Sequence, residues 1–171
     1  IVTKPLIQYG VEEAMEAGIK DMAFVTGRNK RAIEDHFDIN YELEDKISDS
    51  DKESLLKDTS QIIKECSFVY KRQIEMLGLG HAILVSEPLI GNEPFAVILP
   101  DDLCLGSDLS VIGQMTKLYD AHQCSIVAIE EVPMEHTHRY GVIAGEEESQ
   151  GIFRISDMVE KPSVEAAPSN L

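Results

Sequence analysis

Short apolar runs alternate with segments of helical periodicity along most of this chain, and this alternation limits the folds that it can adopt. The predicted strands are residues 21–27 (DMAFVTG), 66–73 (CSFVYKRQ), 94–102 (PFAVILPDD) and 124–132 (CSIVAIEEV). The stretches between them place apolar residues at the three- and four-residue spacing of one helix face. Because such alternation favours parallel strands joined by helices, we predict an α/β fold with a mainly parallel mixed sheet flanked by helices.

The predicted elements differ in how deeply they should be buried. The run FAVIL, residues 95–99, has no polar alternation, which is expected of a strand with both faces covered. The acidic stretch 40–65 has an interrupted apolar pattern, so we expect its helices to pack at the rim rather than in the core. After residue 131 the alternation stops, and residues 140–162 predict two strands joined by an acidic turn. The other predicted helices cover residues 4–17, 28–37, 78–90 and 109–122.

Composition limits the possible binding partners and cellular compartments of the protein. The 171 residues can build one domain with a substantial core. Because the net charge of −16 would repel a phosphate-rich polymer, we expect no general nucleic-acid binding. We expect no membrane insertion, since no apolar run approaches the roughly 18–20 residues of a membrane span. The three cysteines, an odd number without close spacing, predict no disulfide framework and a cytoplasmic protein.

Two adjacent aspartates, Asp101 and Asp102, follow the most apolar predicted strand. In open α/β sheets, ligands bind beyond the carboxyl ends of the strands. Mg²⁺ usually takes one or two protein carboxylates together with substrate phosphates. Neighbouring side chains of an extended chain point in opposite directions, so both aspartates should not face one ion. The pair therefore predicts either one metal-binding carboxylate or a pair of turn and helix-capping acids.

Other polar residues also follow predicted strands. Gln73 offers an amide that can read a base edge, and Gly78 and Gly80 allow close backbone approach or simply form a strand-to-helix turn. Glu160 can accept hydrogen bonds from sugar hydroxyls and Lys161 can neutralise a phosphate, although any surface Glu-Lys pair looks the same.

The chain lacks the signature motifs of several enzyme classes. It contains no GxSxG, HExxH or GxxxxGK[ST] motif, which disfavours hydrolase triads, zinc proteases and P-loop NTPases. The histidines of the HTH segment, His136 and His138, have no third ligand at helical spacing. We therefore interpret this segment as a solvated loop rather than a metal site.

Six motifs, taken together and in order, indicate a family. TKPLIQY, RQ followed by GLGHA, FAVILPDD, HRYGVI, MVEKP and APSNL resemble the bacterial UTP–glucose-1-phosphate uridylyltransferases, also called UDP-glucose pyrophosphorylases. The resemblance spans residues 1–171 with the right spacing. It implies a Rossmann-like nucleotidyltransferase fold that makes UDP-glucose and pyrophosphate from UTP and glucose 1-phosphate with Mg²⁺. It also implies a homo-oligomer.

The resemblance assigns roles to the nucleotide and metal residues. Gln73 matches the residue that reads the uracil edge, and Gly78 matches the glycine whose backbone lies against the base. Asp101 matches the catalytic, metal-binding aspartate. Asp102 and His81 lie within matching motifs without an assigned role.

The resemblance also assigns the sugar-phosphate residues. Gly141 matches a glycine whose backbone contacts the sugar, Glu160 the acceptor for sugar hydroxyls, and Lys161 the catalytic lysine that faces the sugar phosphate.

The same resemblance makes the chain an incomplete nucleotidyltransferase domain. The family's glycine-rich phosphate loop would precede Ile1, and its second metal-binding aspartate would follow Leu171. We therefore expect the 171 residues alone to be inactive. Two alternatives stay open on the residues themselves. One is a thymidylyl- or other sugar-1-phosphate nucleotidyltransferase of the same fold, and the other is a non-catalytic sugar-nucleotide-binding domain.

Overall fold

The computed structural model describes residues 4–47, 53–104, 106 and 108–171, which fall into two compact units, Ile1–Cys124 and Ser125–Leu171. Helices and strands are mixed, as the predicted α/β class requires. The helices are α1 (Leu6–Glu16), α2 (Arg31–His36), α3 (Tyr41–Ile47), α4 (Glu53–Glu65), α5 (Leu79–Leu84), α6 (Glu87–Ile90), α7 (Val111–His122) and a 3₁₀ helix (Met134–Arg139). The strands are β1 (Asp21–Thr26), β2 (Ser67–Arg72), β3 (Gly141–Ser149) and β4 (Ile152–Glu160).

A parallel pair of strands lies at the centre of the first unit. β1 pairs with β2 in register from Asp21 opposite Ser67 to Thr26 opposite Arg72. The chain between them contains α2, α3 and α4, which matches the crossover connection that parallel strands require. The predictions for these two strands and for their parallel arrangement are confirmed.

The end of α1 shows why the chain turns into β1 at this point. Gly18 has φ +85°, a left-handed conformation that glycine adopts without steric cost. Its N–H donates to the carbonyl of Met15 at 3.0 Å, and the N–H of Ile19 donates to that of Ala14 at 2.9 Å. These two bonds form a Schellman cap, which satisfies carbonyls at the end of the helix and reverses the chain.

The core of the first unit includes a residue that we expected at the rim. Val11 of α1, Phe37 and Ile62 of α4 form one buried cluster, and Ile62 is only 1% exposed. The Phe37 ring lies 5.4 Å from that of Phe24 and 5.0 Å from that of Phe68, so aromatic packing joins the helices to the sheet. The rim prediction for residues 40–65 is therefore wrong at Ile62 of α4, which packs in the core.

Two predicted strands do not form in the described part of the chain. Residues 94–99 and 125–133 have no strand assignment, and β1 and β2 pair only with each other. A strand is defined by ladder hydrogen bonds to a partner, and an apolar run does not specify that partner. Phe95 is 56% exposed, so the expectation that both faces of this run are covered is also wrong.

The segment 94–99 nevertheless packs against α1. A Cβ atom added at Gly10 would lie 3.1 Å from Cγ2 of Ile98, so the bare glycine lets the segment approach the helix closely. The predicted helix that follows is confirmed as α7. The Ser110 side chain accepts from the N–H of Gly113 at 3.1 Å as an N-cap, and Glu13 of α1 accepts from the N–H of Ile112 at 3.0 Å.

The second unit is built on the predicted hairpin. β3 and β4 pair antiparallel, with a register shift after Ala144. Gly145 is required there, because a Cβ atom would come within 2.5 Å of the Arg154 carbonyl oxygen. The C-terminal tail lies against β3, because the N–H of Ile143 donates to the Leu171 carbonyl at 2.9 Å.

No helix within the described ranges is long and apolar enough to cross a membrane.

Candidate nucleotide and sugar-phosphate sites

The carboxyl end of the parallel pair fixes the backbone of Gln73. Its N–H donates to the carbonyl of Thr26 at 2.9 Å, which continues the pattern of β1–β2 bonds by one residue. Thr26 is 7% exposed, so the anchoring residue is itself held in the interior. Gln73 therefore lies at the carboxyl ends of the strands, where ligands bind in open α/β folds, and its backbone is held in place by the sheet.

Gln73, Gly78 and His81 form a hydrogen-bonded group at this end of the strands. We call it the nucleotide cluster, after the role that the sequence resemblance implies for Gln73 and Gly78. The side-chain nitrogen Nε2 of Gln73 lies 3.1 Å from the Gly78 carbonyl oxygen and 3.0 Å from Nδ1 of His81. Gly78 has φ +88° at the start of α5, a conformation that favours glycine. The turn that brings the Gly78 carbonyl to the amide thus depends on glycine at this position.

Asp101 lies in a tight turn after the segment 94–99. The N–H of Asp102 donates to the Leu99 carbonyl at 3.1 Å, which closes the turn around Pro100 and Asp101. Both aspartates are exposed. Across the described ranges, no group of three or more His, Cys, Asp and Glu side chains is placed to hold a metal ion. A cation at Asp101 would therefore need its other ligands from outside the described residues, and Mg²⁺ commonly takes water and substrate phosphates as ligands.

In the second unit, Gly141, Glu160 and Lys161 lie together. We call them the sugar-phosphate cluster, after the role that the sequence resemblance implies for them. Gly141 is the first residue of β3 and lies directly opposite Glu160, the last residue of β4. A Cβ atom at Gly141 would lie 3.3 Å from Oε2 of Glu160, which is tighter than ordinary contact. The absence of a side chain at Gly141 therefore leaves room for the carboxylate of Glu160.

Lys161 has an unusual backbone conformation. Its φ is +48°, which is rare and costly for a residue with a Cβ atom. The N–H of Lys161 donates to the Tyr140 carbonyl at 2.9 Å and so holds the residue at the end of the hairpin. Its Nζ lies 3.2 Å from Oε1 of Glu160, and both side chains are mostly exposed. Strain of this kind concentrates at functional sites, where the surrounding structure enforces it.

The sequence identified the members of both clusters but not all of their contacts. The hydrogen bond between Gln73 and His81 was not predicted, although the GLGHA motif contains the histidine. The strain at Lys161 was not predicted either, because lysine gives no signal for a left-handed conformation. His136 and His138 lie on the 3₁₀ helix as exposed side chains.

Comparisons with known proteins identify the family and the fold. The sequence profile of the nucleotidyl transferase family matches residues 1–171. The chain belongs to the nucleotidyl transferase family. It is 61% identical to a UTP–glucose-1-phosphate uridylyltransferase of Pseudomonas aeruginosa, over 100% of this chain and 62% of that protein.

Solved structures extend the similarity to the fold. An apo UDP-glucose pyrophosphorylase matches with a TM-score of 0.94 at 62% identity, over 98% of this chain and 62% of that chain. A UDP-glucose pyrophosphorylase complexed with UDP-glucose matches with a TM-score of 0.89 at 59% identity, over 99% of this chain and 61% of that chain. The predicted resemblance and fold class are thereby confirmed. The chain spans about three-fifths of the length of these nucleotidyl transferase relatives.

Proposed function

We propose that the protein containing this chain is a UTP–glucose-1-phosphate uridylyltransferase, which forms UDP-glucose and pyrophosphate. The observation that carries the proposal is 61% identity, over the whole chain, to a Pseudomonas aeruginosa enzyme of that name. The arrangement of the nucleotide cluster and the sugar-phosphate cluster supports it. Those six residues give a base-reading amide, a close-approach glycine turn and a charged group for a sugar phosphate.

Gln73 and Gly78 are proposed to bind the base of the nucleotide. The side-chain amide of Gln73 is held at a fixed position by the Gly78 carbonyl at 3.1 Å. A fixed amide can make directional hydrogen bonds to a base edge, which is the basis of selectivity among bases. The exposed backbone of Gly78 has no side chain that would keep a planar base away from it.

Gly141, Glu160 and Lys161 are proposed to bind glucose 1-phosphate. The Glu160 carboxylate can accept hydrogen bonds from sugar hydroxyls, and the Lys161 ammonium can neutralise the phosphate. The ion pair between these two side chains is exposed, so a ligand can replace it at little cost in stability. The backbone at Gly141, which carries no side chain, would contact the sugar.

Asp101 is proposed to hold Mg²⁺, and its exposed carboxylate in a tight turn fits that role. When bound, the ion supplies neutralising charge to the phosphates. Asp102 contributes its backbone N–H to the turn, and we assign it no ligand role.

The proposed chemistry is a single in-line displacement. A phosphate oxygen of glucose 1-phosphate forms a bond to the α-phosphorus of UTP while the bond to the bridging oxygen breaks. Pyrophosphate leaves with that electron pair, so no enzyme nucleophile is needed. The proposed contribution of this chain is the binding and positioning of each substrate by its own cluster, together with neutralisation of the sugar phosphate by Lys161.

The experiment that tests the proposal is pyrophosphate release by the full-length protein with a panel of nucleotides and sugar 1-phosphates. We expect UTP with glucose 1-phosphate to give the highest kcat/KM. A preference for dTTP would assign the protein to thymidylyl transfer. If no substrate pair is turned over but a nucleotide sugar still binds, the protein is a non-catalytic binding domain rather than an enzyme.

Two further properties are also proposed. The exposure of Cys104 and Cys124 supports a reducing cytoplasm, and light scattering of the full-length protein would test the proposed homo-oligomer.

A further inference from the structure

We propose that His81 is a positioning residue that determines base specificity, an inference that rests on the proposed role of Gln73 in reading the base. His81 would act without touching the substrate. It would occupy one N–H of the Gln73 amide, so that the amide presents its carbonyl oxygen to the base.

The orientation of the Gln73 amide follows from its neighbours. A peptide carbonyl can only accept a hydrogen bond, so the Gln73 atom that lies 3.1 Å from the Gly78 oxygen must be the NH₂ group. The same nitrogen lies 3.0 Å from Nδ1 of His81, which must therefore accept. An imidazole whose Nδ1 accepts is neutral and carries its proton on Nε2.

This arrangement uses both donors of the amide. A side-chain amide has two N–H groups, and here they point to the Gly78 carbonyl and to the His81 ring. The remaining polar atom, Oε1, is an acceptor. A base that meets this acceptor must offer a donor, which the N3–H of uracil or thymine does. In the same position, the N3 of cytosine offers a lone pair and would face Oε1 as a second acceptor. The N4 amino group of cytosine could donate to Oε1 only if the base shifted.

His81 adds what Gly78 alone cannot supply. With only the glycine carbonyl as partner, one N–H of Gln73 would be available to donate to cytosine N3. With His81 in place, cytosine could gain that donor only by breaking an existing hydrogen bond. Since leaving a partner unsatisfied costs more than an average hydrogen bond contributes, His81 should disfavour CTP rather than simply strengthen UTP binding.

The test is the ratio of kcat/KM for UTP to that for CTP, measured by pyrophosphate release on the full-length enzyme. His81→Leu removes the acceptor and should lower the ratio about tenfold. His81→Asn places a side-chain oxygen near the position of Nδ1 and should keep the ratio within about threefold of the native value. His81→Phe retains the ring volume and replaces His81→Leu if the leucine variant does not fold.

Two results would overturn the proposal: an unchanged ratio in the apolar variant, or an equal fall in His81→Asn. The double variant Gln73→Ala/His81→Leu should discriminate no less than Gln73→Ala alone, because His81 acts through Gln73. An additional loss in the double variant would contradict that mechanism.

The failure of the underlying function gives a different pattern. If Gln73→Ala retains the native ratio, Gln73 does not read the base. If Gln73→Ala loses the ratio while His81→Leu and His81→Phe retain it, the base-reading role stands and only the role of His81 is rejected.

Discussion

The nucleotide cluster and the sugar-phosphate cluster are held in place by different forces. Gln73 is held by neutral hydrogen bonds at 3.0–3.1 Å and by a backbone bond to buried Thr26. Glu160 and Lys161 are held by the end of a hairpin, with an exposed ion pair at 3.2 Å and a strained backbone at Lys161.

This difference matches the task proposed for each cluster. Distinguishing one base from another needs donors and acceptors in fixed orientation, which neutral hydrogen bonds provide. Binding a phosphate needs positive charge more than exact orientation, and lysine supplies it as a mobile point charge. An exposed ion pair contributes little to stability and does not offset the strain at Lys161, which is consistent with the proposed role of this residue in phosphate binding.

The largest effect should come from a residue that belongs to neither cluster. Asp101→Asn in the full-length enzyme removes the charge proposed to hold Mg²⁺, and we expect roughly a hundredfold lower kcat. Pyrophosphate release over a Mg²⁺ titration measures it. Asp102→Asn is the matched control, because that residue uses its backbone in the turn, and it should stay within about threefold. Near-normal turnover in Asp101→Asn would remove Asp101 from the metal site.

The next test separates charge from strain at Lys161. Both Lys161→Ala and Lys161→Gly remove the ammonium group and should raise KM for glucose 1-phosphate about tenfold. Only glycine relieves the conformation at φ +48°, so Lys161→Gly should be more stable than Lys161→Ala by about 1 kcal/mol. Chemical denaturation measures this difference. Equal stabilities would show that the backbone is not strained, and an unchanged KM would exclude the phosphate role.

The smallest effect concerns the acid stability of the first unit, where His36 lies against the buried side-chain amide of Gln8. Nε2 of His36 lies 3.0 Å from Oε1 of buried Gln8, and burial lowers the pKa of His36. Below about pH 6.5, the His36 imidazole binds a proton in the unfolded chain, whereas burial disfavours its protonation in the folded chain. Stability should therefore fall as the pH drops below that value, until the pKa of the folded state is reached.

Thermal midpoints measured from about pH 7.5 to about pH 5.5 test this dependence. His36→Gln keeps a donor toward Gln8 but does not titrate, so its midpoint should fall less steeply. The same slope in both proteins would assign the acid sensitivity to other groups.

The sequence pattern correctly predicted the elements that depend on interactions between residues close together in the chain. β1, β2 and α7 were recognised from apolar spacing, and the hairpin from the turn between its strands. Residues 94–102 and 124–132 were predicted as strands because apolar runs look alike whether or not they pair with another strand. Strand pairing is a long-range property, and no single segment encodes it.

The residues proposed for the site were named from the sequence, whereas the contacts between them were not. Motif order pointed to Gln73, Asp101 and Lys161 before any coordinates. The direction of the Gln73 amide depends on two acceptors that a glycine turn and a helix bring together, so spacing alone could not give it. The burial of Ile62 likewise follows from the packing of α4 on the sheet and not from its interrupted apolar pattern.

The central claim is that the two clusters bind the two substrates separately, and kinetics of two full-length variants test it most directly. KM for UTP and KM for glucose 1-phosphate should be measured in Gln73→Ala and in Lys161→Ala. We predict that Gln73→Ala raises the KM for UTP about tenfold and leaves the KM for glucose 1-phosphate within about twofold. Lys161→Ala should do the reverse. If both KM values rise together in each variant, the assignment of one substrate to each cluster is wrong.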